Sequence, residues 1–286
     1  MFSTTIFDPA TGQPFPNNTI PQDRISPIAQ YYLGFLPEAT TGGQAQVSAN
    51  QTTRNQWFTT RFDHSFTQNH LLNFTYSFFD SEVFSPFAFG GANVPGFAAN
   101  DIRGTDNYVG RYTYIINSNL VNSFLINYST NEQPGVAPVN QTTPAQIGFT
   151  SNFVADGTFV GPPQIRILDR GLILGNSIQG PQRRFTENIQ FQDSLSWVLG
   201  DHRMKFGFDY TKYKQDTDFL FINQGLISYS ANGLLGVTNT TGDDFADFLI
   251  GNSPAAPFSL VLPVNAIIAS VPGRFSVRTP GERHAI

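Results

Sequence analysis

The sequence contains no cysteine, which removes disulfides, thiolate metal sites and thiol nucleophiles together. It is also short of charge. Asp, Glu, Lys and Arg make up 13% of its 286 residues, about half the roughly 25% of an average soluble protein. The net charge is -5 and the basic residues form no stripe, which argues against a nucleic-acid partner. No apolar run is long and clean enough for a membrane helix. The start, "MFSTTIFDPATG", lacks the basic and apolar regions of a secretory signal.

Catalytic patterns are missing as well. "GNSIQG" and "GNSPA" hold a serine near glycine, but neither is G-x-S-x-G. There is no G-x-G-x-x-G or Walker motif. His64, His70, His202 and His284 lack metal-ligand spacing, and neither Asp216 with Asp218 nor Asp243, Asp244 and Asp247 has the spacing of a calcium loop. The expectation is a protein that is not an enzyme, with no catalytic residue, no cofactor and no metal.

Aromatic residues, in contrast, reach 14%, with 28 Phe. From Trp57 onward they recur with period two, the spacing of a half-buried strand. Six strands of nine to eleven residues pair as three hairpins: Trp57 to Phe66 with Leu71 to Phe79, Asn107 to Ile116 with Leu120 to Ser129, and Glu187 to Trp197 with Met204 to Tyr213. One face collects Phe58, Phe62, Phe66, Phe74, Tyr76, Phe78, Tyr112, Tyr114, Phe124, Ile126, Tyr128, Leu195, Trp197, Phe206, Phe208 and Tyr210. The other is mostly Asn, Gln, Ser and Thr, with Arg61, Asp63, Arg111, Lys205 and Asp209.

The connections are uneven. Within hairpins they take four, three and six residues, whereas between hairpins they take 27 (Asp80 to Asp106) and 57 (Thr130 to Thr186). Short turns at one end and long loops at the other characterise outer-membrane β-barrels, and nine to eleven residues is the length of a tilted strand crossing a bilayer. The expected fold class is therefore all-β, an antiparallel transmembrane barrel segment that is incomplete, because a membrane barrel takes at least about eight strands. The aromatic face is expected to meet lipid and the polar face a wet lumen. Asp193 is out of place on the aromatic face, roughly 9 Å above its turn; a bulge or a protonated carboxyl would relieve it.

Three stretches follow. Residues 1–54 read as loop-like structure with one short helix, in which Ser26 caps, Pro27 opens and Ile28, Tyr31, Tyr32 and Phe35 form a stripe that docks on the protein itself. Residues 55–256 hold the barrel strands and end in "TGDDFADFLIGNSPA", a short amphipathic helix capped by Asp243. Residues 257–286 lose the pattern and are expected to be an irregular tail, truncated or out of frame.

The succession "FDPATGQPFPNNTIPQDRISPIAQYYLGFLP", "NQWFTTRFDHSFTQNHLLNFTYSFFD", "FQDSLSWVLGDHRMKFGFDY" and "DDFADFLIGNSPA" resembles the barrel portion of Oar-type TonB-dependent outer-membrane receptors, over roughly Ile6 to Ala256. The resemblance implies a larger barrel filled by a plug domain, energy from the TonB complex, and uptake of a solute across the outer membrane. It supplies no substrate-contacting residue, and no signal peptide, TonB box or plug is found in this sequence. The rival expectation is a soluble secreted β-sandwich or adhesin-like binding module, whose apolar faces would pack on each other.

Overall fold

Three hairpins build one continuous antiparallel sheet. In the computed structural model, which describes residues 2–38, 45–149, 161–179, 182–219, 222, 225–231, 240–251 and 275–276, the chain runs through α1 (Pro27–Leu33), β1 (Thr52–Thr67), β2 (His70–Ser85), β3 (Ala99–Asn117), β4 (Leu120–Pro138), α2 (Pro144–Ile147), β5 (Gln164–Ile167), β6 (Leu172–Leu174), β7 (Gln182–Leu199), β8 (His202–Phe219), β9 (Leu226–Tyr229) and α3 (Asp244–Ile250). The long strands pair in the order β1-β2-β3-β4-β7-β8, with Phe275–Ser276 against the far end of β8. Among the described residues β1 and β8 do not pair with each other, so the sheet stays open. The expected tail over 257–286 otherwise lies outside the described residues.

The strands are longer than the sequence pattern indicates: 16 residues in β1 and β2, 19 in β3 and β4, and 18 in β7 and β8. Alternation marks only the part of a strand that has an apolar neighbour, whereas the hydrogen-bonded ladder needs none. Beyond Tyr76, Tyr108 and Tyr128 the aromatic face turns polar, through Asp80, Glu82, Asp106 and Glu132, while pairing continues. For the same reason the connections are shorter than expected. The turns are Gln68-Asn69, Ser118-Asn119 and Gly200-Asp201, and the long connections shrink to residues 86–98 and 139–181.

Turn chemistry sets the local register. Only Gly200 has a positive φ, 57°, among these turn residues, and the β7–β8 pairing runs unbroken to Leu199 and His202. The other two turns lack such a residue, and each is preceded by a register shift, at Ser65/Thr67 and at Ile115/Asn117. A bulge there supplies the twist that a positive-φ turn otherwise gives.

The register assigns the faces. Phe58 opposes Phe78, Phe62 opposes Phe74, Leu72 opposes Tyr112, which opposes Phe124, and Ile126 opposes Phe191, which opposes Tyr210. Tyr76, Tyr108 and Tyr128 form one row, and Leu195 opposes Phe206. A single rung on the other face runs Asp63, Asn73, Arg111, Leu125, Gln192, Asp209 across all six strands. Arg61 and Lys205 lie on that same side.

The hairpins are also staggered. His70, the first residue after its turn, opposes Tyr114, four residues before Ser118; Leu120 likewise opposes Trp197, three residues before Gly200. Each hairpin therefore advances by about two to three residues over the last. At about 3.3 Å per residue and about 4.8 Å between strands, that slope tilts the strands by about 40°. Barrel walls have this tilt.

The described parts of the long connections fold into a core. Ile6, Phe15 and Ile28 from the N-terminal segment, Val94 and Phe97 from 86–98, Ile147, Ile165 and Leu174 from 139–181, and Ile227, Tyr229 and Phe248 beyond β8 share one buried core. Segments on both sides of residue 54 thus enter one cap at the loop end of the sheet. Its centre is a small sheet, β6-β5-β9, in which β5 and β9 are parallel. Ser26 caps α1 through the Ile28 amide, and the helix stops at Leu33. Tyr32, fully buried, donates its hydroxyl to the Pro163 carbonyl at 2.6 Å. Burial pushes its pKa up, so the donor keeps its proton.

One ion pair pins the N-terminal segment to itself. Asp8 accepts from the Arg24 guanidinium at 3.0 and 3.1 Å and from the Ala10 amide at 3.0 Å. The Arg24 hydrogen bonds, and then that amide, hold the Asp8 carboxyl below its ordinary value. A depressed carboxylate contributes stability above the unfolded pKa of about 3.9 and loses it as pH falls through the folded value. The Ala10 amide is accordingly expected to lose hydrogen-exchange protection as the pH drops below about 4, and Asp8→Asn to remove that dependence. Arg24 is partly exposed, so the effect is at most about 1 kcal/mol.

Candidate functional site

The polar face of the sheet meets the cap at a partly open corner. There β3 begins, β4 ends and β2 ends, and a bulge between the pairs Ile102/Gly135 and Gly104/Glu132 adds an extra residue to β4. Pro134, with no amide to donate, sits in the bulge, and Gly135 follows at a φ of 117°. The bulge turns Gln133 toward Asp101, whose carboxylate it meets at 3.4 Å.

The result is a cavity of about 280 Å³. Its floor is the strand wall, with Asp101, Arg103 and Gln133; its roof is the cap, with Phe89 and Phe97 from 86–98 and Asn176, Ser177 and Gln179 ahead of β7. Asp101 and Arg103 lie on the same side of β3 as Arg111, so the cavity opens onto the polar face. Arg103 is committed to Asp101 at 2.6 Å, which leaves the pair close to neutral.

The cap side is held by a chain of hydrogen bonds. Ser177 donates to the Phe89 carbonyl at 2.6 Å, Gln164 donates to the Gly90 carbonyl at 2.7 Å and to the Asn176 carbonyl at 3.1 Å, and the Asn176 side-chain amide donates to the Asn140 carbonyl at 2.9 Å. Gly175 lets this chain fold back: its φ is 86°, and a side chain there would run into the Pro163 backbone.

None of the cavity residues stands out in the sequence. They lie within the two stretches that the sequence pattern leaves as connections, 80–106 and 130–186, where alternation has already stopped. The charged residues singled out on the polar strand face fall elsewhere: Arg61 pairs with Asp63 at 2.8 Å, Asn73 also donates to Asp63, and Asp209 accepts from Gln190 at 2.8 Å. The structure thus groups Arg61, Asp63 and Arg111 in the strand wall, apart from the cavity. Three of the carboxylates first weighed as ion ligands are engaged in ion pairs, Asp216 with Lys214 among them. Asp243 and Asp244 hold Arg170, and no cluster of metal-ligating side chains occurs among the described residues.

A family model described as an outer membrane beta barrel domain matches residues 1–266. The chain belongs to the outer membrane β-barrel domain family. No curated protein and no solved structure matches it. This barrel is an outer-membrane protein, and its six long strands, tilt and open edges are those of a barrel wall. Among the described residues no helix is long and apolar enough to cross a membrane. The structure does not form the sandwich of the rival expectation: Phe62 and Phe208 keep 58% and 62% of their surface exposed, and among the described residues no second sheet packs over them.

Proposed function

We propose that the chain is the barrel region of an Oar-type TonB-dependent receptor and takes part in energy-coupled uptake of a polar solute across the outer membrane. The observation that carries this is the cavity, which lies where a folded cap closes over the polar face of a tilted strand wall. A solute captured there already faces the lumen side. In the full receptor a plug domain would fill the lumen and the TonB complex would supply energy; the chain binds and conducts and does no chemistry. Uptake of labelled solutes by cells producing the receptor tests the proposal. It is expected to stop when the proton gradient is collapsed or TonB is deleted; uptake indifferent to both sinks the proposal.

In this setting the aromatic face contacts lipid. The apolar band, about nine residues at about 3.3 Å and a tilt of about 40°, stands about 23 Å tall, close to the roughly 25 Å of an outer-membrane hydrocarbon layer. Tyr76 donates to Asp106 at 2.7 Å and Tyr128 to Glu187 at 3.2 Å, so both hydroxyls engage carboxylates where the band ends. The tight Gly200 turn places Asp193 deeper than first expected, about 15 Å along the barrel axis from Leu199. Both ladders of β7 run without a bulge at this position, and Asn122, on the same face, donates to the Asp193 carboxylate at 2.8 Å. Asn122→Leu is expected to destabilise the barrel by about 1–2 kcal/mol by stranding that carboxylate. Adding Asp193→Leu restores the unfolding midpoint in lipid if the pair is the cause.

A further inference from the structure

We infer that Trp57 and Phe79 form a stacking platform for a short neutral saccharide on the lumenal wall of the barrel. Its use in uptake rests on the function proposed above; the binding itself follows from what surrounds the two rings.

The platform is an exception to the alternation that governs the sheet. Phe58 opposes Phe78 on the aromatic face, so the neighbouring opposed pair, Trp57 and Phe79, lies on the polar face. No bulge interrupts either ladder of β2 here. Directly opposed residues of antiparallel strands hold their Cβ atoms about 5 Å apart, so the indole and the phenyl ring stand side by side. They keep 75% and 40% of their surface exposed. A wall made for water offers such rings nothing to pack on, and a ligand with an apolar face supplies it.

The surroundings select the ligand. Phe79 opposes Thr105, two residues along β3 from Arg103, so the platform lies one step along the wall from the cavity. On its other side Thr59, Ser77, Asn107 and Ser129 oppose one another across four strands, a row about 14 Å long at about 4.8 Å per spacing. Among the described residues these four side chains bond to no other group, and their polar atoms reach the surface. The nearby charges are already matched. Arg103 holds Asp101 at 2.6 Å and Arg61 holds Asp63 at 2.8 Å, which leaves no spare cation to prefer a carboxylate or phosphate. Open hydroxyl and amide groups beside two exposed rings, without net charge, match the hydroxyls and the apolar C–H face of a neutral pyranose.

The test uses the full chain folded in lauryldimethylamine oxide, a detergent without sugar, with maltotriose, glucuronate and the dipeptide Ala-Ala as probes. The chain has two tryptophans, and Trp197 lies on the aromatic face, so Trp197→Phe leaves Trp57 as the sole emitter. Acrylamide is expected to quench that emission and maltotriose to relieve the quenching. Saturation-transfer NMR is expected to mark the ring C–H resonances of maltotriose and to give glucuronate no advantage. Trp57→Ala, an exposed change that leaves the core alone, is expected to weaken maltotriose about tenfold. Phe58→Ala removes a ring from the same strand on the opposite face and is expected to leave binding unchanged. The inference is overturned by a Trp57 ring that acrylamide cannot reach, because another part of the chain then covers it. It is equally overturned by maltotriose that gives no transfer or yields to the dipeptide, by tighter binding of glucuronate, or by equal losses for Trp57→Ala and Phe58→Ala. Because binding needs no energy source, those outcomes leave the uptake proposal standing. Sugar binding together with uptake indifferent to the proton gradient has the reverse meaning.

Discussion

Ile126→Arg is expected to cost about 2–4 kcal/mol of folding stability in lipid, the range for a cation near the middle of a bilayer on the outer surface of a barrel. Ile126 lies six residues above the Ser118-Asn119 turn, on the aromatic face, with Gly110 and Phe191 across from it. Arginine there must reach toward an interface or drag water and headgroups inward. Gln192→Arg is the control. It lies at a similar distance from its own turn, seven residues before Leu199, but on the polar face directly opposite Asp209. There the added cation meets a carboxylate and water, and the change is expected to stay within about 0.5 kcal/mol. Denaturant unfolding in lipid vesicles, followed by tryptophan fluorescence, reads both. Equal losses for the two substitutions would show that the faces are not distinguished by lipid, and the transmembrane assignment would fail.

The contrast between those two positions was legible in the sequence, because a strand writes its surroundings into alternate residues. Phe58, Phe62, Phe74, Ile126, Phe206 and Phe208 on one side, and Arg61, Asp63, Arg111 and Asp209 on the other, fall into place once the registers are known. What could not be read was the part of each strand beyond the aromatic band. Residues such as Arg54, Glu82 and Asp101 are held by ladder hydrogen bonds, and those are made by the backbone, which carries no residue-specific signal. The cavity was hidden for a related reason. Asn176 and Asp101 are 75 positions apart, and they converge only because a bulge at Pro134 and the fold-back at Gly175 bring cap and wall together. Local patterns did find the pieces: Ser26 and Asp243 were readable as caps, and Tyr32 as a docking residue. That the pieces assemble into one core depended on contacts between distant segments, such as Tyr32 with Phe97 and Phe248.

Asp244→Ala is expected to loosen the cap by about 3 kcal/mol while leaving the strand wall intact. Asp244 is fully buried at the first position of α3, beside the capping Asp243. One of its oxygens accepts from the backbone amides of Asp169, at 2.8 Å, and Arg170, at 3.2 Å; the other meets the Arg170 guanidinium. Arg170 also reaches Asp243 at 2.8 Å and lies 5.5 Å from the Phe245 ring centroid. A single carboxylate thus fastens the turn between β5 and β6 to the start of α3. Removing it strands two amide donors and half of the arginine's partners, each an expensive loss when buried. Because Arg170 is 40% exposed, water recovers part of that loss, which keeps the figure below the extreme for a fully buried pair. Asp244→Asn keeps the shape and one acceptor and is expected to lose roughly half as much. Hydrogen exchange followed by mass spectrometry separates the regions. Protection is expected to fall across 164–174 and 226–229 and to persist in β2, β3 and β4. If the strand wall lost protection in step with the cap, the two would unfold as one unit, and the cap could not open over the cavity while the barrel stays folded.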